Sequence, residues 1–472
     1  MSDAQAVQEQ VNEQMDNTAR EAAAGPNAAS KNHAVKRPGH RTIRARSALN
    51  PQRPSTALVP WLEAQSLNVS RHAAALQPFK IDEFGTGIAA PTEGHIKAAN
   101  ALITMLRTEL LKHMNHVKAS VEYGIREPSS ARLQSVVRHK DHAHQWTQAI
   151  EKIWDFYFEL FGQRQSRFGE WLVACDHVAL DCYQCTWRGI NISKPVPAPA
   201  PFSYMRTGFA PATYRRGIPL TRLGKQLNPF PLIQLPYHRM VNPWTLGAIM
   251  HEVSHNLQSD LGLSRSIPLQ IARQLLRAGM PPRLVYTWTR WNRETFADLS
   301  GLLLGGPGVV PSLMDVVGRN PDAVLAFDPR GVHPQPYLRP LISIELLRRM
   351  GFEDEARQYQ RAWLKIYPDP RKTGSLPRFL LDTFPEACAR VVETICYQPY
   401  AELGGRSLAE VMKFEEKDQH MVEESARRLA AGTDPGIIPE RFLVSAARFA
   451  VDNRLAQPGT ITRNFYKELV RR

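Results

Sequence analysis

Residues 251–255, with the sequence His-Glu-Val-Ser-His, combine residue types and a spacing that specify both a metal and a reaction. His251 and His255 would project from one face of a helix, so their imidazoles could share one tetrahedral ion. The carboxylate of Glu252 could take a proton from a water molecule that zinc has acidified to a pKa of about 7. The motif therefore predicts hydrolysis that is assisted by a metal ion.

The sequence around this motif has a helical pattern. Asn242 followed by Pro243 is typical of a helix start, with Asn as the N-cap and Pro in the first turn. The pattern ends at residues 260–262, where the chain reads Asp-Leu-Gly. We therefore expect the motif in the middle of a helix that is anchored in a core, although two buried histidines that only form hydrogen bonds are the alternative. The apolar positions at helical spacing are Leu246, Ile249, Met250, Val253 and Leu257.

A hydrolytic zinc needs a third protein ligand and one open position. A third histidine in the pattern HExxHxxGxxH is excluded because Gln258 and Leu261 occupy the required places, and an aspartate in a GxxD loop has no match. A glutamate from a later helix remains, and Glu294 fits it. Asp298 lies one helical turn further on and could accept the spare N–H of a ligating histidine. An exposed carboxylate pair on an amphipathic helix is the alternative interpretation.

An HExxH motif followed by a helix with ExxxD resembles the gluzincins, the thermolysin-like clan of zinc metallopeptidases. The resemblance covers residues 242–340. Its spacing from the second histidine to the glutamate is longer than in the best-known members, which a helical insertion over residues 266–278 would explain. The resemblance implies that His251, His255 and Glu294 are the zinc ligands. It also implies that Glu252 is the general base and that Asp298 is a supporting carboxylate.

A loop further along the chain offers donors for the negative charge that develops during hydrolysis. Thermolysin-like enzymes carry a histidine after an Asp and a Gly-Val pair, and His333 in residues 327–333 resembles it. Tyr337 and Arg339 are further candidates for the same role. The alternative is a proline-rich loop whose histidine only caps a helix that begins near Leu341.

Composition favours a globular protein with a core. The chain has 472 residues, of which 22% are charged and 43% hydrophobic. This length predicts two or three domains, or one large helical unit with extensions. No apolar run approaches the ~18 residues that span a bilayer, and the first thirty residues have no apolar signal segment. We therefore expect a cytoplasmic protein, with export by a dedicated secretion machine as the alternative.

The positive charge of the chain is concentrated near its N-terminus. The net charge is +14, and residues 30–61 contain seven lysines and arginines but no acid. Because this stretch is also rich in Pro, Ser, Asn and Ala, we expect residues 1–60 to be a disordered basic arm. Residues 30–60 could bind nucleic acid or another anionic partner, and a solvated linker is the alternative.

Other metal ligands are weaker candidates in this sequence. Three cysteines, Cys175, Cys182 and Cys185, fall within a pattern that reads as one helix, where buried packing is the commoner role. Five cysteines in all suit a reducing compartment better than a disulfide framework. The histidines at 113, 116, 139, 142 and 144 lie on charged helical faces without an acidic or thiol partner at fixed spacing, so we do not expect them to bind a metal.

Periodicity along the chain predicts a mainly α fold, namely a multi-helix zincin-like core with little β structure. A short strand is expected only over residues 231–236. After the arm, the predicted units are an N-terminal helical region at 61–190, a Pro-rich irregular crossing at 191–242, a zinc-binding catalytic core at 243–350 and a C-terminal helical region at 351–472.

Together these features predict a zinc-dependent hydrolase that acts on a peptide or protein substrate. In this interpretation Glu252 is the base, and His333 or Tyr337 stabilises the oxyanion. The alternative is a non-catalytic scaffold that zinc stabilises and whose basic arm binds nucleic acid or an assembly partner. The sequence does not indicate the oligomeric state.

Overall fold

Most of the described chain is helical, as the sequence predicts. The computed structural model describes residues 57–191, 199–208, 210–367, 369–371 and 376–472. The helices before the sheet are α1 Leu58–Ala75, α2 Glu93–Arg126, α3 Ser130–Gly162 and α4 Gly169–Ile190. Those that follow the sheet are α5 Tyr237–Val241, α6 Gly247–Asp260, α7 Leu263–Arg277, α8 Pro282–Arg290, α9 Asn292–Gly305, α10 Val309–Val317, α11 Pro321–Leu325, α12 Leu338–Arg349, α13 Glu353–Ile366, α14 Arg378–Val392, α15 Leu408–Val411, α16 Glu416–Ala431, α17 Glu440–Asp452 and α18 Pro458–Val470.

The long helices α2 and α3 form an antiparallel hairpin. Thr92 and Ser129 precede them as N-caps, and each side chain accepts a hydrogen bond from a backbone N–H three residues later. Apolar residues at helical spacing, among them Ile96, Ile103 and Leu110, are completely buried between α1, α2 and α3. This apolar cluster continues into the sheet, so the hairpin is attached to the rest of the molecule through its core.

A three-stranded sheet lies between the hairpin and the later helices. Its strands are β1 Phe202–Met205, β2 Ala212–Tyr214 and β3 Leu232–Leu235, in the order β1-β3-β2. The strand expected over residues 231–236 is confirmed as β3, and it is the central strand, parallel to β1 and antiparallel to β2. The prolines around it leave its backbone groups free to pair because they lie outside its bounds. The sequence analysis did not identify the edge strands β1 and β2.

Helix α6 carries the HExxH motif through the larger apolar cluster. All five apolar residues that the pattern selected, including Ile249 and Val253, have no exposed surface, so the predicted buried side is confirmed. The helix also ends as expected, with Gly262 in the left-handed conformation at φ 80°. Helices α4, α9 and α17 pack around it. The motif is therefore held by a rigid, apolar environment.

One helix boundary differs from the sequence prediction. The prediction that Asn242 caps the motif helix is wrong, because residues 243–245 form a 3₁₀ turn and α6 begins only at Gly247. The Asn242 side chain instead donates to the His238 carbonyl. A break at Trp291 separates α8 from α9, and the helix expected over residues 266–278 is present as α7.

The predicted basic arm falls largely outside the described residues, which begin at 57. Its expected boundary at residue 60 overlaps the first turn of α1, which begins at Leu58. None of the helices in the described ranges has both the length and the apolarity of a membrane span.

Candidate metal centre

Helices α6 and α9 lie side by side and bring the motif histidines to the ExxxD segment. Their close approach depends on a small residue, since a Cβ added to Gly305 would lie 2.5 Å from the Met250 sulfur and 2.7 Å from Val309 Cγ2. One turn earlier, Gly301 lies against the backbone of Met250 and His251. The small residues of α9 therefore allow Glu294 to reach the imidazoles on α6.

The side chains of His251, His255 and Glu294 form a small triangle of possible ligand atoms. The two imidazole Nε2 atoms are 3.2 Å apart. One Glu294 carboxylate oxygen lies 3.3 Å from His251 Nε2, and the other lies 3.5 Å from His255 Nε2. Three ligands of a tetrahedral zinc, each bonded at about 2.05 Å, are separated by about 3.3 Å. The residues present therefore fit a zinc ion without rearrangement.

A second layer of charged groups holds this triangle. Asp298 Oδ1 lies 2.8 Å from His251 Nδ1, the ring nitrogen that faces away from the triangle. Arg339 on α12 donates to both Asp298 oxygens, from Nε and Nη2, each at 2.8 Å. Such bidentate pairs fix the plane of a carboxylate. Asp298 therefore has the position that the resemblance implied, and Arg339 orients it.

The charged groups of the site favour the binding of one further positive charge, as the pKa values of its side chains indicate. Burial opposes protonation of His251, but Asp298 and Glu294 outweigh burial and raise its pKa to about 10. Burial lowers the pKa of His255 to about 3, which keeps that imidazole neutral, as a metal ligand must be. Burial also opposes ionisation of Glu294, yet the nearby His255 and His251 hold its pKa below its usual value. Because Asp298 is paired with Arg339, the remaining charge of Glu294 can be balanced by a proton on His251 or by a metal ion.

The triangle opens into a cavity of about 360 Å³. Glu252, Glu294 and both motif histidines line it, and so do Ala212 and Thr213 of β2. The Glu252 side chain is buried, and burial raises the pKa of its carboxyl to about 7. A carboxyl with a pKa near neutrality can both accept and return a proton.

The two candidates for stabilising the oxyanion have different positions. His333 lines the cavity, is 60% exposed, and its Nε2 lies 3.5 Å from Glu294 Oε2. Its loop is attached to the site because Arg290 Nε and Trp291 Nε1 both donate to the Gly331 carbonyl. It does not cap α12, whose first turn has no side-chain cap.

The assignment of Tyr337 to the site is not supported by its position. This side chain is 5% exposed and does not line the cavity, since it packs in the core beneath α12. Its backbone carbonyl accepts a hydrogen bond from Trp363 Nε1. The reserve candidate Arg339 does line the cavity, but its guanidinium is occupied by Asp298.

Among the described residues, the three side chains of the triangle are the only group of histidine, cysteine and acidic residues with ligand atoms close enough to share an ion. The cysteines at 175, 182 and 185 lie along α4, as the predicted helix requires, with Cys175 and Cys182 buried.

Trp288 and Trp291 are fully buried and pack edge to face, so neither forms a wall of the cavity.

Sequence reasoning missed two arginines that line the cavity, Arg215 and Arg293. Arg215 follows the unpredicted strand β2, and Arg293 precedes Glu294 on α9. Neither belongs to a recognisable motif, so only the packing of β2 and of α9 against α6 reveals them.

Comparison with known proteins finds no matching family model, no matching curated protein and no matching solved structure. The geometry of the site is therefore the basis for any functional interpretation.

Proposed function

We propose that this protein is a zinc-dependent hydrolase that cleaves peptide bonds. One observation carries the proposal: the atoms of His251, His255 and Glu294 stand 3.2 to 3.5 Å apart at the wall of a cavity. Two imidazoles and one carboxylate are the ligand set of hydrolytic zinc sites that keep an open position. Bound there, zinc would polarise a substrate carbonyl and acidify a water molecule.

Glu252 is the proton carrier in this proposal. Glu252 lines the same cavity as the three residues of the ligand triangle. It takes a proton from the attacking water and then delivers it to the nitrogen of the departing amine. The burial of Glu252 keeps bulk water from competing for that proton.

In this proposal His333 donates a hydrogen bond to the former carbonyl oxygen and so stabilises the negative charge that develops there. It lies on the cavity wall next to Glu294, and its exposure leaves the ring free to turn toward a substrate. A donor that hydrogen bonds to this oxygen only in the transition state accelerates the reaction.

A peptide substrate is favoured by the strand at the cavity. β2 is an edge strand, and Asn256 on α6 donates to Thr213 Oγ1 at 2.8 Å, which fixes β2 beside the motif helix. An extended peptide can add to such an edge through backbone hydrogen bonds. Here that edge would carry the peptide across the cavity, next to the ligand triangle.

The substitution Glu252→Gln tests the proposal because it removes the base but preserves the size of the side chain. We expect zinc content to remain unchanged and cleavage of a quenched-peptide library to fall at least about a hundredfold. Metal content is measured by mass spectrometry, and cleavage by fluorescence.

The matched control is Glu386→Gln, which changes a glutamate paired with Arg390 on α14 and should leave both readouts unchanged. Wild-type protein that binds zinc but cleaves no peptide in the library would refute the peptidase assignment. Cleavage that persists in Glu252→Gln would refute the role of the base.

A further inference from the structure

The cavity holds two arginines whose charges are not neutralised by the protein. Arg215 and Arg293 both line it and are half-buried. Among the described residues, neither guanidinium forms an ion pair or a hydrogen bond. Burial and then the charge of Arg293 hold the pKa of Arg215 below its ordinary value, so the two groups are close enough to repel each other.

Nearby acids are engaged elsewhere. Asp260, which faces Arg215, lies 3.6 Å from Arg216 and accepts a hydrogen bond from the Tyr183 hydroxyl. Glu294, next to Arg293 in the chain, contacts the motif histidines. Half-buried cations without a partner are costly unless an anion joins them.

The total charge of the cavity points the same way. Three arginines and three carboxylates line it, so the charges of these six side chains balance each other. Arg339 and Asp298 neutralise each other, and Glu294 belongs to the ligand triangle. A divalent ion at the triangle would leave the cavity with two excess positive charges. Arg215 and Arg293 are the cavity arginines that have no paired carboxylate among the described residues. The three arginines of the cavity are Arg215, Arg293 and Arg339, and its three carboxylates are Glu252, Glu294 and Asp298.

We infer that Arg215 and Arg293 form a carboxylate-binding subsite that selects anionic substrates. The inference rests on the proposed hydrolase function and names its substrate class. Arg215 follows the last residue of β2, so a peptide that extends along this edge would pass beside its guanidinium. The carboxylate belongs either to an acidic side chain or to the free C-terminus of the peptide. Arginine suits this role because its planar fork matches a carboxylate.

Three hydroxamates on one peptide scaffold test the inference with zinc-loaded protein. One ends in a free α-carboxylate, one carries a glutamate side chain with an amidated end, and one carries glutamine with an amidated end. The dissociation constant of each is measured by calorimetry. We expect at least one anionic hydroxamate to bind about tenfold to a hundredfold more tightly than the neutral one, the range of a charge-assisted hydrogen bond. The tighter of the two anionic compounds identifies the source of the carboxylate.

Arg215→Met and Arg293→Met should each remove most of this preference and leave binding of the neutral hydroxamate within about threefold of wild type. Methionine keeps the apolar stem of the arginine and removes only the charge. Arg216→Met is the matched control, because Arg216 neighbours Arg215 but is paired with Asp260 and does not line the cavity. It should keep the full preference.

The possible failures are distinguishable. If the neutral hydroxamate binds and the anionic ones bind no better, the carboxylate subsite is refuted and the hydrolase proposal stands. If the preference survives in both Arg215→Met and Arg293→Met, other groups bind the anion and the assignment is equally wrong. If none of the three compounds binds protein that contains zinc, both proposals fail.

Discussion

The α2–α3 hairpin and helix α6 each bring histidine rings close together. On the α2–α3 hairpin, the His113 ring lies 5.8 Å from His116 and 6.1 Å from His142, and His116 lies 5.9 Å from His139. This group is the hairpin cluster. On α6, the rings of the two motif histidines are 4.7 Å apart. The hairpin cluster has more imidazoles, yet its ligand atoms are too widely separated to share one ion in the structure.

The difference lies in what the facing helix supplies. α9 offers Glu294 to the ligand triangle and Asp298 behind it, whereas α3 offers imidazoles and the Trp146 ring to the hairpin cluster. His116 and His142 are also exposed, so water can hydrogen bond to them. The number of histidines therefore does not make a metal site. Convergence with a carboxylate distinguishes the ligand triangle as the candidate site, because the charge of an ion must be balanced where water is excluded.

The largest expected effect is the loss of zinc when the carboxylate is removed. Glu294→Ala should lower bound zinc from about one ion per chain to near zero, since two imidazoles alone do not complete the site. Metal content after dialysis and thermal unfolding with and without zinc are the measurements. Zinc should raise the melting temperature of the wild type but not that of Glu294→Ala.

Glu386→Ala is the control for this change, because its carboxylate is exposed and distant from the site. If Glu294→Ala retains zinc, the ion is bound elsewhere, and the hairpin cluster would become the first region to examine.

A smaller effect is expected when the support of the triangle is weakened. Arg339→Met leaves Asp298 without its two hydrogen bonds, so the carboxylate no longer holds the His251 ring. We expect zinc affinity to fall about tenfold to a hundredfold, measured by competition with a chelator. The zinc affinity of Arg339→Lys should lie between those of the wild type and Arg339→Met, because lysine keeps the charge but loses the bidentate geometry.

Arg448→Met provides the comparison for this variant, since Arg448 also pairs with two carboxylates, Asp315 and Asp452, but lies on α17. Equal zinc affinity in Arg339→Met and wild type would show that Arg339 has only a structural role.

The smallest effect concerns acid sensitivity of the hairpin cluster. Burial, and then the charges of neighbouring histidines, lowers the pKa of His113 and of His139. Below the unfolded pKa of about 6.5, the unfolded chain therefore takes up protons more readily than the folded chain, and stability is lost as pH falls. The double variant His113→Gln, His139→Gln should lose less stability in urea unfolding between pH 7.5 and pH 5.5.

The effect should be modest because these rings are partly exposed. Zinc content should not change in this variant. A drop in zinc content, or an unchanged acid sensitivity, would contradict the distinction between the two histidine groups.

Local patterns in the sequence were sufficient for several elements of the site, but not for the edge strand β2. The buried side of α6, the helix α7 expected near residues 266–278 and the short strand β3 all follow from hydrophobic periodicity or from proline boundaries. The prediction for Asn242 failed because residues 243–245 form a 3₁₀ turn before α6 begins, a choice that a capping signal does not encode.

The position of Tyr337 shows the limit of spacing arguments. It lies four residues after His333 in a loop, where chain separation does not fix direction, and packing beneath α12 turned it into the core. Arg339, two residues later, reached Asp298 instead. Loops lack the fixed period that relates neighbouring residues in helices.

The sequence by itself determined which residues could bind a metal, because the spacing of His251 and His255 is a property of one helix. It also determined that Glu294 and Asp298 share a face of another helix. Only the tertiary structure decided that these two helices meet with ligand atoms about 3.3 Å apart. It alone placed Arg215 beside Arg293, since contacts between distant segments depend on the packing of the whole core.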